Sequence, residues 1–246
     1  MKIDPGVHLI ASGRFGFDLS DPFDCNVYLF EADGGYVMFD TGAGRDPERI
    51  LEVMRGDGLE PSDLRHILLT HAHSDHSGGA AALRNETGAE IWAGHATAAV
   101  VTSGDEEALS LPAARQAGVY PLDYRYHACQ VDRLFEAGKT LEFKPYRVQV
   151  IATPGHSDDH VSFLVEAPGK RYLVSGDAIF FGGRIVLQHT PDCSVPKSIA
   201  SIEKLGTIPF EALLPGHMAF SLNNGSRHVE AALEVIRHFG CPPTLS

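Results

Sequence analysis

The stretch THAHSDHSGG, residues 70–79, sets three histidines and an aspartate within six positions and closes on two glycines. Imidazole nitrogens and carboxylate oxygens at this density are donors for zinc, and equally for iron or manganese. In an extended backbone alternate residues share a side, so His71 and His73 would point together, and a turn beyond them would swing Asp75 and His76 toward the same place. A solvated polar turn is the plain reading of such a cluster, and three further segments weaken it. TPGHS carries His156, VSGD carries Asp177 and LPGH carries His217, each after an apolar run and each at a glycine or turn. Ligands gathered from several segments at strand ends are what a metal site needs, because a loop there can present a side chain without breaking the sheet. The candidate ligands are therefore His71, His73, Asp75, His76, His156, Asp177 and His217.

The elements that must position them read as strands and helices in both halves. Val7 to Ala11, CNVYLFEA and GYVMFDTG are strand-like, the last two joined by the turn ADGG at 32–35. DPERILEVMRGDG predicts a helix with Asp46 at its start, Pro47 in the first turn and glycines at its end. RHILLT is a β-rich apolar run that ends directly on the histidine cluster. SGGAAALRNETG opens a helix, EIWAG is a strand and HATAAVV a second short helix. Residues 104–140 lose periodicity and read as an insertion, a lid or pocket wall over the site. Strand signals return in LEFKPYRVQVIATPG, HVSFLVEA and RYLVSGD, and FEALLPGH is strand-like between helices expected over residues 197–205 and 226–239. Periodicity thus supports an α/β or α+β class, taken as a single domain over residues 1–246.

With 43% hydrophobic and 21% charged residues in 246, the chain has the composition of a globular protein with a substantial core. A formal net charge of -12 without any basic run argues against a grip on phosphate backbone or anionic lipid, so neither nucleic acid nor membrane is expected as a partner. MKIDPGVHLIASG lacks the apolar stretch of a secretory signal or a membrane span, which makes the cytoplasm the expected location. Cysteines 25, 129, 193 and 241 are widely spaced and read as free thiols, mostly buried. A homo-oligomer is compatible with this composition.

HAHSDH, TPGHS, SGD and PGH, with FDTG ahead of them, resemble in order and spacing the metallo-β-lactamase superfamily of metallohydrolases, from about residue 7 to residue 239. The resemblance implies a four-layer αβ/βα sandwich and two divalent metal ions, zinc first, with iron or manganese as substitutes. It puts His71, His73 and His156 on one ion, Asp75, His76 and His217 on the other, and Asp177 on both. Asp40 of FDTG matches an aspartate that orients a ligand rather than binding metal. Paired ions lower the pKa of a shared water toward about 7 and take up charge on a tetrahedral intermediate, so the reaction implied is hydrolysis of a small-molecule ester, thioester or lactone by a metal-bridging hydroxide. Asp75 is also the candidate for receiving or returning the proton.

Within the superfamily, true β-lactamases lack the bridging aspartate that Asp177 matches, whereas thioesterases, lactonases and phosphodiesterases carry it. β-Lactamase and phosphodiesterase activities become lesser alternatives. His73 stands where flavodiiron oxidoreductases usually have glutamate. Glyoxalase II, the hydroxyacylglutathione thioesterase, shares the site residues, and GDAIFFGGR is similar to its own GD segment, but its glutathione-binding basic and tyrosine residues have no secure counterpart. Acyl-homoserine lactonases typically place a tyrosine three residues after the bridging aspartate, where this chain has Phe180. Persulfide dioxygenases share HxHxDH yet hold one iron by two histidines and an aspartate; the matching subset His71, His156 and Asp177 makes a mononuclear-iron oxidoreductase the alternative. His160, four residues after His156, is expected behind a ligand or facing substrate. Phe180, Arg184 and His189 are expected to line the substrate pocket, while Tyr120, Tyr124, Tyr126 and His127 sit in the insertion as lid or surface loop.

Overall fold

The computed structural model describes residues 1–245, and the chain packs as two compact units, Met1–Phe135 and Glu136–Ser246. In the first unit seven strands lie side by side in chain order: β1 (Lys2–Asp4), β2 (Val7–Ala11), β3 (Val27–Ala32), β4 (Gly35–Phe39), β5 (Leu64–Leu68), β6 (Glu90–Gly94) and β7 (Arg133–Phe135). β1 to β4 pair antiparallel. The β3–β4 hairpin turns on Asp33 and Gly34, both at positive φ, the backbone that an Asp-Gly pair supplies at least cost.

From β4 onward the pairing is parallel, and parallel neighbours need crossovers. These are α1 (Pro47–Gly56), then α2 (Ser74–Ser77) with α3 (Ala80–Thr87), then α4 (His95–Ser103) and α5 (Leu111–Gln116). α1 starts where the sequence predicts: the Asp46 carboxylate accepts from the Arg49 amide and Pro47 is the first helical residue. Its buried Ile50, Leu51 and Met54 join Leu29, Met38 and Ile67 in one core, each such side chain contributing roughly 1.5–3 kcal/mol. β7 has no counterpart in the sequence reading, because only Phe135 of its three residues is buried and no alternation exists to be read.

The second unit holds β8 (Thr140–Phe143), β9 (Tyr146–Ala152), β10 (Val161–Ala167), β11 (Lys170–Gly176) and β12 (Ala212–Pro215), in the order β12-β11-β10-β9-β8. Only β11 and β12 run parallel, and α6 (Val195–Leu205) is their crossover; α7 (Ser226–Arg237) follows β12. α6 begins two residues before the expected start, with Pro196 in its first turn. Ile202, Leu205, Val229 and Leu233 of the two helices pack with Leu164, Leu173 and Leu213 of the sheet. Each unit is thus a sheet with its own helices, the mixed α/β class expected. Burial holds for half of the free cysteines: Cys25 and Cys129 are buried, Cys193 is half-buried and Cys241 exposed. Among the described residues no helix is long and apolar enough to cross a membrane.

Asp24 lies beneath the loop after β4, where its carboxylate accepts from the Ala43 amide at 2.8 Å. It is 3% exposed, and burial raises its pKa to about 6. A carboxyl with a folded pKa above its unfolded value of about 3.9 favours folding only while protonated, so its contribution fades as pH rises from about 4 to about 6. Two units correspond to about 3 kcal/mol. Asp24→Asn keeps an acceptor for Ala43 without the charge, and denaturant unfolding should show it more stable than the parent at pH 7.5 and nearly equal at pH 4. Equal differences at both pH values would show that Asp24 is not a buried charge.

Candidate metal centre

The first four candidate ligands follow β5. β4 and β5 are parallel, so both end at the same edge of the sheet, where Asp40 and Thr70 meet. Asp40 adopts a left-handed backbone, φ 63°, and its amide donates to the Leu68 carbonyl. Its buried carboxylate then collects three donors: the Thr70 amide at 2.8 Å, the Thr70 hydroxyl at 2.9 Å and His76 Nδ1 at 2.8 Å. Because the one hydroxyl hydrogen of Thr70 goes to Asp40, its oxygen accepts from His71 Nδ1 at 2.9 Å. Both imidazoles are therefore protonated on Nδ1, which leaves Nε2 of each as the nitrogen with the lone pair a metal requires.

The backbone repeats this arrangement. Thr41 donates to the His76 carbonyl through both its amide and its hydroxyl, each at 2.7 Å. α2 is a single helical turn carrying Asp75 and His76, in agreement with the turn the sequence suggests beyond an extended His71–His73. The ring of His71 lies 4.6 Å from that of His73 and 4.2 Å from that of His76. Asp75 Oδ2 is 3.7 Å from His76 Nε2. The glycines that close the motif are obligatory: a Cβ on Gly79 would run into the Thr41 carbonyl, and one on Gly78 into the Ala43 carbonyl and the Tyr124 hydroxyl.

The insertion at 104–140 touches this loop through its tyrosines. Tyr120 donates to Asp75 Oδ1 at 3.1 Å, Tyr124 to the Ala43 carbonyl at 2.7 Å, and Tyr126 shares a 2.9 Å hydrogen bond with the Ser77 hydroxyl. Burial, with the Asp75 charge beside it, pushes the Tyr120 phenol well above its ordinary range, and burial pushes Tyr126 up to about 12. All remain hydrogen-bond donors at any working pH. Tyr124 and Tyr126 pack with Ala72, Leu109 and Leu111 in a small core. His127 is exposed.

In the second unit His156 follows β9, Asp177 follows β11 and His217 follows β12. Asp177 Oδ2 is 3.5 Å from His156 Nε2 and 3.4 Å from His217 Nε2. Donors on one tetrahedral zinc, with bonds of about 2.0–2.1 Å, lie about 3.3–3.5 Å apart, so each pair, Asp177 with His156 and Asp177 with His217, has the separation of two donors on a common ion, and Asp75 with His76 comes close. His160 stands behind Asp177: its Nε2 accepts from the Asp177 amide and its Nδ1 donates to the Thr153 hydroxyl, both at 2.9 Å. Gly155 lets the TPGH turn approach α6, since a Cβ there would meet the Ser198 backbone. The buried Phe180 ring lies 6.0 Å from the His217 ring. Arg184 directs its guanidinium to the Thr244 carbonyl at 2.9 Å, and His189 is exposed. Thr41, Thr70 and Thr153 were not singled out by the sequence; their only signal is a hydroxyl next to a motif residue.

A sequence model of the Metallo-beta-lactamase superfamily matches residues 20–217, a span that holds every candidate ligand. The chain belongs to this superfamily. Among its relatives, the chain is 29% identical over 206 residues to the hydroxyacylglutathione hydrolase of Xanthomonas axonopodis pv. citri, covering 83% of this chain and 65% of that one. The chain thus spans just under two thirds of the length of that relative. It is 30% identical over 162 residues to a hydroxyacylglutathione hydrolase of Haemophilus influenzae, covering 65% of this chain and 68% of that one. Among solved structures, a metallo-β-lactamase of Cronobacter sakazakii superposes with a TM-score of 0.69 at 22% identity, over 88% of this chain and 80% of the other. A subclass B3 metallo-β-lactamase of Bradyrhizobium japonicum gives 0.67 at 23%, over 87% and 86%. At such identities the structural likeness speaks for the fold alone, the two-sheet α/β architecture of the superfamily.

Asp40 needs two acceptor oxygens, one for Thr70 and one for His76. Asn offers one, so Asp40→Asn sets an amide NH₂ against a donor and drives the proton of His76 to the nitrogen that should bind metal. Chelator competition should show metal affinity about 10–100-fold lower. Unchanged affinity would mean that the carboxylate does not set the tautomers.

Proposed function

We propose that the chain is a binuclear metal-dependent hydrolase of a small-molecule ester, thioester or lactone, with thioesters the favoured class. Asp177 carries this reading. Its one oxygen lies within 3.5 Å of His156 and of His217, histidines that the superfamily resemblance assigns to different ions, as a shared carboxylate requires. In this reading His71, His73 and His156 hold the first ion, Asp75, His76 and His217 the second, and Asp177 both. The hydroxyacylglutathione hydrolases among the relatives support a thioester. Phe180 supports it too, since a buried apolar ring stands where lactonases keep a phenol.

Divalent ions held by these residues, zinc first, would supply an activated water at neutral pH and polarise a substrate carbonyl. The chain's own residues do the rest. Asp40 and Thr70 keep His71 and His76 in the metal-binding tautomer, and His160 holds the Asp177 backbone. In this reading Asp75, whose side chain is 22% exposed, also receives or returns the proton.

Metal analysis of the purified protein should find close to two zinc per chain, and a thioester panel should be turned over faster than lactones. One iron per chain with oxygen uptake on a persulfide would replace this reading by the mononuclear oxidoreductase. Asp177→Asn should lower the metal content toward one and kcat/KM by more than about 100-fold; wild-type activity in that variant would show that no ion depends on the carboxylate.

A further inference from the structure

Asp75 and His76 are adjacent on a single helical turn, which is little backbone to hold two ligands. A carboxylate has two oxygens and a broad, two-fold terminal torsion, so its bite on a metal is undefined until one oxygen is occupied. Here Oδ1 takes the Tyr120 hydroxyl at 3.1 Å while Oδ2 lies 3.7 Å from His76 Nε2. The phenol is itself held. Its ring stacks on Tyr124 at 4.8 Å and 18° and lies 5.7 Å from the Phe23 ring. Arg115 donates to the Tyr124 carbonyl and pairs with Glu106, each at 2.6 Å, and the other Glu106 oxygen takes the Tyr126 amide at 3.1 Å.

We infer that Tyr120 is a positioning residue for the metal: by occupying Oδ1 it leaves Oδ2 as the single oxygen Asp75 offers to the ion shared with His76, and residues 106–126 are the brace that fixes it. The inference rests on the reading of Asp75 as a ligand of the second ion. A hydrogen bond to Oδ1 also draws charge from Oδ2 and opposes a bidentate bite. Its loss therefore alters affinity and coordination geometry together.

Tyr120→Phe keeps the stacked ring and removes only the O–H. Zinc competition against a chelator should show the second ion bound about 10–100-fold more weakly, with the first unchanged. The cobalt(II)-loaded protein should change its visible absorption, kcat should fall with KM held, and the metal-free melting temperature should stay at the parent value. Asp75→Asn, the reference, should move the second ion further in the same direction. Wild-type affinity and cobalt spectrum in Tyr120→Phe would overturn the assignment, as would an equal loss at both ions with a lowered melting temperature, the mark of a merely structural role. A parent protein holding one ion would overturn the binuclear reading instead; Tyr120 then stands only if its variant weakens that ion as Asp75→Asn does.

Discussion

The hydrogen bonds of one buried carboxylate govern the first unit of this protein. An ionised acceptor in a dry interior is tolerable only when several donors converge on it, and hydrogen bonds to a charged group contribute about 1.5–3 kcal/mol each. Asp40 gathers an amide, a hydroxyl and an imidazole from residues thirty and more positions away. It can do so because two parallel strands finish at the same edge, and because its own backbone accepts a left-handed turn that most side chains resist. Fold and site are therefore not separable here: the pairing of β4 with β5 is what brings the acid to the histidines.

The second unit uses the same device with different parts. Thr70 relays the pull of Asp40 to His71, and Thr153 orients His160, which in turn holds the main chain of Asp177. In both cases a threonine hydroxyl, which can donate and accept at once, sets which nitrogen of a histidine carries the proton. Metal-binding residues are rarely sufficient alone; the groups behind them decide whether the lone pair faces the right way.

Much of this was legible in the sequence, for reasons that differ by residue. The donors stood out because few residue types bind metal and because each followed an apolar run, which is how a strand end reads. α1 was legible through Asp46 and Pro47, a cap and a first-turn proline that mean little elsewhere. The threonines behind the histidines were not, since one hydroxyl hydrogen bond leaves no periodic trace. Nor were long-range pairings: His8 lies buried between Glu31 at 3.0 Å and Asp57 at 2.8 Å, partners that no spacing announces. The insertion was recognised by its loss of periodicity, but a tyrosine in an aperiodic stretch does not say what its hydroxyl will reach.

What those hydroxyls reach has a consequence for the order in which the chain becomes itself. Tyr120 meets its partner across 45 residues and Tyr126 across 49, contacts that form only after a long loop has closed and its entropy has been given up. Along the chain the histidine loop precedes the two tyrosines that bond its Asp75 and its Ser77. The tyrosine brace on the histidine loop is therefore made of contacts of long sequence separation, and it cannot be complete before the chain has been made through residue 126.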